Sequence, residues 1–193
     1  ISAKAVSIAS ESRQMPRPDL DDYKDRDQWR ADLAKWEAEQ KFLSSTTRET
    51  VDALTPFFTN GSAQFLSTQG SENLLWSPIN AYIGLAMMTE LTDGASRQQI
   101  LDLFGARDID ALRQQVGAVW ESAYNDNGHE ISTLANSLWL ENGLNYQQDT
   151  MDNIAYYYYA SVYQGDLGSQ KINKAIGTWI NHNTGGFLKN TSK

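Results

Sequence analysis

The 193-residue chain carries 16 Lys and Arg against 24 Asp and Glu, a formal net charge of -8. This acidic balance argues against unaided binding to nucleic acid or to an anionic membrane, and no apolar run reaches the roughly 18 residues of a membrane span. The absence of cysteine excludes disulfide scaffolds, Cys-based metal sites and Cys nucleophiles. With 40% hydrophobic residues, the chain is able to bury a core of one domain or of part of one.

Residues 1 to about 24 are predicted to be irregular, because Pro16, Pro18 and several Asp favour an extended segment. Trp29, Leu33 and Trp36 then follow at helical spacing and predict an amphipathic helix. The two Trp either dock this helix on the protein or contact a partner. We assign residues 1–44 to an acidic N-terminal extension. Because residue 1 is Ile, either a leader has been removed or the chain starts downstream of one.

Two further helical pieces are predicted before residue 67. Thr46 and Glu49 have the spacing of a capping box, which favours a helix start. Pro56 is expected to break that helix, and Thr55 is able to cap the new start.

The stretch from Ser77 to Leu91 predicts the central helix of the fold. Ser77 is a good N-cap residue and Pro78 a good first helical residue. Almost every following side chain is apolar, so we expect burial on all sides. Asn80, in the first turn, would then need polar partners.

The rest of the chain alternates helices with short strands. A helix is expected to stop at Gly105, and another is expected to follow Asp108, which is able to cap it. Strands are predicted within residues 74–76, 130–143 and 161–167, and helices within 145–160 and 169–186. About seven helical pieces and three separated strands do not make a self-sufficient sheet. The chain therefore reads as the helix-rich α+β part of a larger domain that continues beyond Lys193.

Residues with catalytic potential are few. His129 and His182 lack metal-ligand spacing to a second ligand, and no G-x-S-x-G elbow or phosphate loop occurs. Spacing alone does not exclude a catalytic triad, but both His are interpreted as ordinary polar residues. The run Tyr156–Tyr159 favours packing over an aromatic ligand surface. We expect no enzyme activity, no metal and no cofactor.

Four separated motifs carry a family resemblance. They comprise Asn73–Asn80 (NLLWSPIN), Gly94 with Ser96, Gln99 and Ile100, Ala135–Leu140 (ANSLWL), and Ile176 with Trp179, Ile180, Thr184 and Gly186. Their order resembles the N-terminal half of the serpin superfamily, and the acidic, Trp-bearing leader resembles that of a bacterial branch. The chain departs from the family pattern at Asn80, at Thr92-Asp93 and at Gly177, where the family has Ser, Gly-Ala and Asn.

The resemblance implies that residues 45–193 are the N-terminal half of a serpin-type domain, with a central buried helix and a few strands of the main sheet. It implies an extracellular or cell-surface inhibitor of serine proteases, which acts as a suicide substrate when its reactive-centre loop enters the sheet. Ser77, Pro78 and Asn80 would form the gate where the sheet opens. The family-motif residues with structural roles would be Asn73, Asn136, Trp139, Trp179 and Thr184.

The reactive-centre loop is absent from this sequence, so the chain is expected to be inactive alone. Its partners would be a target serine protease and the missing C-terminal half of its own domain. The alternatives are a non-inhibitory serpin-fold binding or scaffold protein and an aromatic-rich carbohydrate-binding module. The second alternative predicts a sheet-dominated structure with exposed Trp.

Overall fold

Six α-helices and five strands form in the part of the chain that the computed structural model describes, which is residues 6–9, 18–67, 76–126, 131–132 and 134–188. The helices are α1 (Arg26–Ser67), α2 (Pro78–Leu91), α3 (Gly94–Leu103), α4 (Ile109–Ala123), α5 (Gln148–Tyr158) and α6 (Gln170–Asn183). The strands are β1 (Val6–Ala9), β2 (Asn125–Asp126), β3 (Ile131–Ser132), β4 (Asn136–Glu141) and β5 (Ala160–Gly165). This confirms the helix-rich α+β class.

α1 is one helix of 42 residues that continues through Pro56, so the predicted break there is wrong. Pro56 removes the backbone donor that would bond the carbonyl of Asp52. Both residues are exposed, and water is able to solvate that carbonyl. The hydroxyl of Thr59 also donates to the carbonyl of Thr55, 2.8 Å away. The predicted domain boundary between residues 44 and 45 falls inside this helix.

Side-chain caps begin four of the helices. Ser77, Asp93, Asp108 and Ser169 each accept a hydrogen bond from a backbone N–H in the first turn of α2, α3, α4 and α6 respectively. Each cap satisfies a donor that the helix itself leaves free. The predicted starts of α2 and α4 are therefore confirmed. Asp93, which follows the end of α2, is the N-cap of α3.

A three-stranded mixed sheet has the order β1–β5–β4. β4 and β5 are parallel, with Asn136 opposite Ala160 and Glu141 opposite Gly165, and α5 connects them. β1 adds to the other edge of β5 in the antiparallel direction. The prediction of irregular structure up to about residue 24 is thus wrong at 6–9, because pairing with β5 makes a strand of a segment too short to be one alone.

The core lies between the sheet, α5, α2, α4 and the second half of α1. Its completely buried members include Tyr82, Ile83, Leu112, Ile154 and Val162. Phe57, Tyr82 and Phe104 form an edge-to-face aromatic cluster with ring centroids 4.7 to 6.3 Å apart. α2 therefore occupies the centre of the helical layer, as the sequence predicts, but the expected burial on all sides is not met among the described residues.

Candidate gate region

The gate residues predicted from the sequence lie together at the start of α2. The Ser77 hydroxyl oxygen accepts from the backbone N–H of Asn80 at 3.4 Å, and the Ser77 carbonyl accepts from Ala81 N at 3.1 Å. Pro78 is the first helical residue and is half-buried. The hydroxyl of Ser77 thus acts as the N-cap of α2.

The expectation that Ser77 and Asn80 are buried is wrong in this chain, because both are exposed. They begin a face of α2 that continues with Leu85, Met88 and Leu91, which are 41%, 42% and 39% exposed. Helical periodicity places these residues on one side. We call Ser77, Asn80, Leu85, Met88 and Leu91 the open face of α2.

Trp76 ties the start of α2 to α1. Its ring stacks on Phe65 with centroids 4.8 Å apart, and its indole N–H donates to the hydroxyl of Ser62 at 3.0 Å. The stacking gives the half-buried Trp ring an apolar contact, and the hydrogen bond gives its N–H a polar partner. The residue immediately before the gate is therefore held in place by α1.

A polar cluster that the sequence motifs do not indicate lies at the other end of α2. Arg113 donates from Nε and Nη2 to the two carboxylate oxygens of Glu90 at 2.8 and 2.9 Å. The side chains are 16% and 5% exposed respectively, so this bidentate pair is nearly buried. Glu90, the acidic residue of a mostly apolar helix, was the signal in the sequence.

Tyr158 extends this cluster to α5. Its hydroxyl donates to Oε1 of Glu90 at 3.0 Å and lies 3.2 Å from the hydroxyl of Thr89. Burial and then the charge of Glu90 raise the pKa of Tyr158 above its ordinary value. The hydrogen bonds that Arg113 donates to Glu90 likewise raise the pKa of Arg113. The cluster holds α2, α4 and α5 together around one charged pair.

The tyrosine run divides between packing and solvent, as expected. Tyr158 is completely buried, Tyr156 is 37% exposed, and the guanidinium of Arg113 lies 4.5 Å from the ring centroid of Tyr157. Tyr159 adopts a left-handed backbone conformation (φ 52°) and stacks on Trp120 with centroids 4.0 Å apart. Tyr157, Tyr158 and Tyr159 thus contribute to packing, and Tyr156 reaches solvent.

The family-motif residues of the sheet lie at β4. Asn136 is 9% exposed, and its amide nitrogen has no hydrogen-bond partner among the described residues. Trp139 stacks on Tyr163 of β5 with centroids 4.4 Å apart and donates from its indole N–H to Ser137 at 2.9 Å. In the described part of the sheet, β4 is the terminal strand on this side.

The remaining motif residues lie at the end of α6. Trp179 is half-buried, and its carbonyl accepts from the side-chain amide of Asn183 at 2.8 Å. Thr184 caps the helix, because its hydroxyl donates to the carbonyl of Ile180 at 2.8 Å. His182 is exposed on the last turn. Asn73 and His129 lie outside the described residues.

Neither a metal-binding group nor a membrane-spanning helix is found in the described ranges. There, no three His, Cys, Asp or Glu side chains cluster in a way that could hold an ion. Of the helices described, none is both long enough and apolar enough to cross a membrane.

Several known proteins resemble this chain in sequence or in structure. Mouse neuroserpin is 24% identical over 147 residues, which cover 72% of this chain and 34% of that protein. The native stressed structure of Arabidopsis AtSerpin1 superposes with a TM-score of 0.65 at 19% identity, over 76% of this chain and 39% of that one. Cleaved human thyroxine binding globulin gives a TM-score of 0.64 at 14% identity, over 77% and 45% of the two chains.

The chain thus spans about a third of the curated relative and less than half of these solved structures. The model of the family described as serpin (serine protease inhibitor) matches residues 53–193, which include the gate region, the described sheet strands β4 and β5, and every helix from α2 to α6. By this match the chain belongs to the serpin family.

Proposed function

We propose that this chain is the N-terminal half of a serpin that inhibits serine proteases as a suicide substrate. The observation that carries the proposal is the family match over residues 53–193, which includes the S-P motif at the start of α2. We further propose that residues 1–44 are an extension to the domain and that the protein belongs to a bacterial branch. It would act outside the cell or at the cell surface.

The proposed mechanism uses a reactive-centre loop supplied by the other half of the domain. The protease cleaves this bait and forms an acyl bond to it. The cleaved loop then enters the main sheet as a new strand, which moves and distorts the attached protease. Insertion requires strands of the sheet to separate, and the residues that hold the closed sheet set the barrier to that step.

The open face of α2 supports a gate at this position. Ser77 and Asn80 present a hydroxyl and an amide there, and Leu85 and Met88 continue the face with exposed apolar surface. Polar groups at the start of a central helix are able to exchange hydrogen-bond partners when a covering strand moves. Each such bond contributes about 1 kcal/mol net, which biases a two-state equilibrium without locking it.

The edge of the described sheet supports the proposal that this chain is one half of a larger domain. β4 ends the sheet on one side among the described residues, and an unpaired edge is a template for another strand. The buried amide nitrogen of Asn136, at the first residue of β4, lacks an acceptor in the described part of the chain. Both features are those expected where further strands of the same domain would join.

Inhibition is tested by incubating the full-length protein with trypsin-like, chymotrypsin-like and elastase-like proteases. We expect an SDS-stable complex with at least one of them, because the acyl bond survives denaturation. The 193-residue chain serves as the control and is expected to form none. Cleavage of the full-length protein without any complex would instead support the non-inhibitory binding or scaffold protein.

The gate is tested by Asn80→Ala in the full-length protein. We expect about a fivefold change in the rate of conversion to a latent or polymeric form on heating, which corresponds to one hydrogen bond of ~1 kcal/mol. Asn80→Ser restores a polar side chain and is expected to restore the rate. Gln114→Ala, at an exposed position of α4, is the matched control. Unchanged latency and inhibition stoichiometry in Asn80→Ala would refute the gating role.

A further inference from the structure

The outer edge of β5 is covered by a strand from the opposite end of the chain. Val6 lies opposite Gln164, Ser7 opposite Tyr163 and Ala9 opposite Val162, in the antiparallel direction. Without this strand, β5 would present unpaired backbone N–H and C=O groups along that edge. β1 is therefore an edge strand whose partner is more than 150 residues away in sequence.

Ile8 is the anchor of this short strand. The register shifts between Ser7 and Ala9, so Ile8 is the extra residue of a β-bulge. Its side chain is half-buried and packs against the hydrophobic core.

α5 adds a polar contact to the same residue. The side-chain amide of Gln148, the first residue of α5, donates to the carbonyl of Ile8 at 3.0 Å. This bond satisfies a carbonyl at the bulge, where the regular ladder is disrupted. The edge of β5 and the start of α5 thus form a surface that recognises a strand by its backbone and by one apolar side chain.

We propose that the outer edge of β5 is a strand-binding site, which the chain keeps occupied with its own residues 6–9 and which accepts the same segment from a second copy. β1 is only four residues long and its contacts to β5 are main-chain pairings, which any strand of the same sequence reproduces. Exchange of an identical element between copies requires no new contact. Residues 6–9 therefore cover the edge of β5 within each molecule, and the same residues are able to pair with β5 of a second molecule.

The proposal is tested by hydrogen exchange on the intact 193-residue chain and its Ile8→Asp variant. A charge at the half-buried position of Ile8 weakens β1. We therefore expect about tenfold faster exchange at those amides of Val162–Gln164 that do not bond to β4. A peptide with the sequence of residues 1–12, added in excess, is expected to return these rates to within about twofold of the unmodified chain. The same peptide carrying Ile8→Asp is expected to have no effect.

Gln148→Ala provides a second variant at an exposed position, in case Ile8→Asp unfolds the chain. It removes the bond to Ile8, and we expect about threefold faster exchange at the same amides. Gln148 also donates to Asp152 at 2.8 Å, so Asp152→Ala is the matched control and should leave β5 unchanged.

Unchanged exchange in Gln148→Ala, or faster exchange that the peptide does not reverse in either variant, would overturn the proposal. Protease inhibition is not a readout of these experiments. Their outcome is therefore independent of the proposed inhibitory function.

Discussion

Glu90 illustrates how one residue controls the packing of three helices. Its carboxylate accepts both arms of Arg113 and the hydroxyl of Tyr158, and its side chain is only 5% exposed. A buried pair is expensive to desolvate, but removal of one partner leaves an uncompensated charge. The same reasoning makes Arg113 more important for stability than its partly exposed position on α4 suggests.

We expect Arg113→Ala to lower the free energy of unfolding by about 3–5 kcal/mol, because the Glu90 carboxylate would stay buried without its partner. Asp110→Ala is the control. It removes the ion pair between Arg113 and Asp110, and the Asp110 side chain is 76% exposed. This substitution should change the free energy of unfolding by no more than ~0.5 kcal/mol. Urea unfolding measures both. Equal effects of the two substitutions would show that the Glu90–Arg113 pair contributes nothing special.

Buried tyrosines predict a loss of stability in alkali. Burial raises the pKa of both Tyr82 and Tyr158 in the folded protein above the ordinary value of about 10. The folded state therefore holds these protons more tightly than the unfolded state. Their contribution is complete below about pH 10 and declines as the pH rises above it, by up to ~1.4 kcal/mol per pH unit for each tyrosine.

The measurement is urea unfolding between pH 8 and pH 11, compared with Tyr158→Phe. That variant is expected to show a shallower decline, because one of the two titrating groups is gone. Tyr156→Phe, at an exposed position, is the control and should follow the unmodified chain. A decline in Tyr158→Phe as steep as in the unmodified chain would contradict the assignment.

At the scale of elements, the predicted helix and strand boundaries are right where residues within the element determine them. They are wrong where contacts with a neighbouring element determine them. The caps Ser77 and Asp108 begin α2 and α4 as expected, because an N-cap satisfies donors within its own turn. Pro56 does not end α1, since the helix continues along α4 and its exposed side allows solvation of the free carbonyl. β1 exists only through its pairing with β5.

Pro56→Ala should therefore stabilise the chain. The substitution restores an N–H that is able to bond the carbonyl of Asp52 and removes the steric conflict of the ring, and we expect a gain of about 1–3 kcal/mol. Urea unfolding provides the measurement. Asn60→Ala, four residues later and also exposed, reports the gain from helix propensity alone, which is expected to be ~0.5 kcal/mol. If Pro56→Ala gains no more than Asn60→Ala, the lost hydrogen bond and the ring conflict attributed to Pro56 cost no stability.

At the scale of the whole molecule, the open face of α2 is an apolar helix face that the described fold leaves unburied. Three large apolar side chains, Leu85, Met88 and Leu91, lie exposed along a single helix face. Single exposed apolar residues are ordinary, but a contiguous group marks a contact surface. This is the surface that we propose the rest of the serpin domain covers.

We expect the 193-residue chain to bind a hydrophobic dye through this face. Met88→Glu should reduce dye fluorescence about twofold or more, because it interrupts the middle of the apolar surface, with little effect on stability. Leu103→Glu is the matched control, since Leu103 is 53% exposed on α3 and does not belong to the open face. An equal reduction by both variants would mean that dye binding reports general exposure and not the open face.

The sequence by itself determined the acidic, cysteine-free character, the helix starts at Ser77 and Asp108, the central position of α2 and the four ordered motifs that indicate the serpin family. These properties follow from side chains within a few residues of one another, or from their order along the chain. Only the tertiary structure decided that α1 continues through Pro56, that Val6–Ala9 joins β5 and that Glu90, Arg113 and Tyr158 meet. It also decided that Ser77 and Asn80 are exposed, because burial depends on which elements lie across a helix and not on the residues that the helix contains.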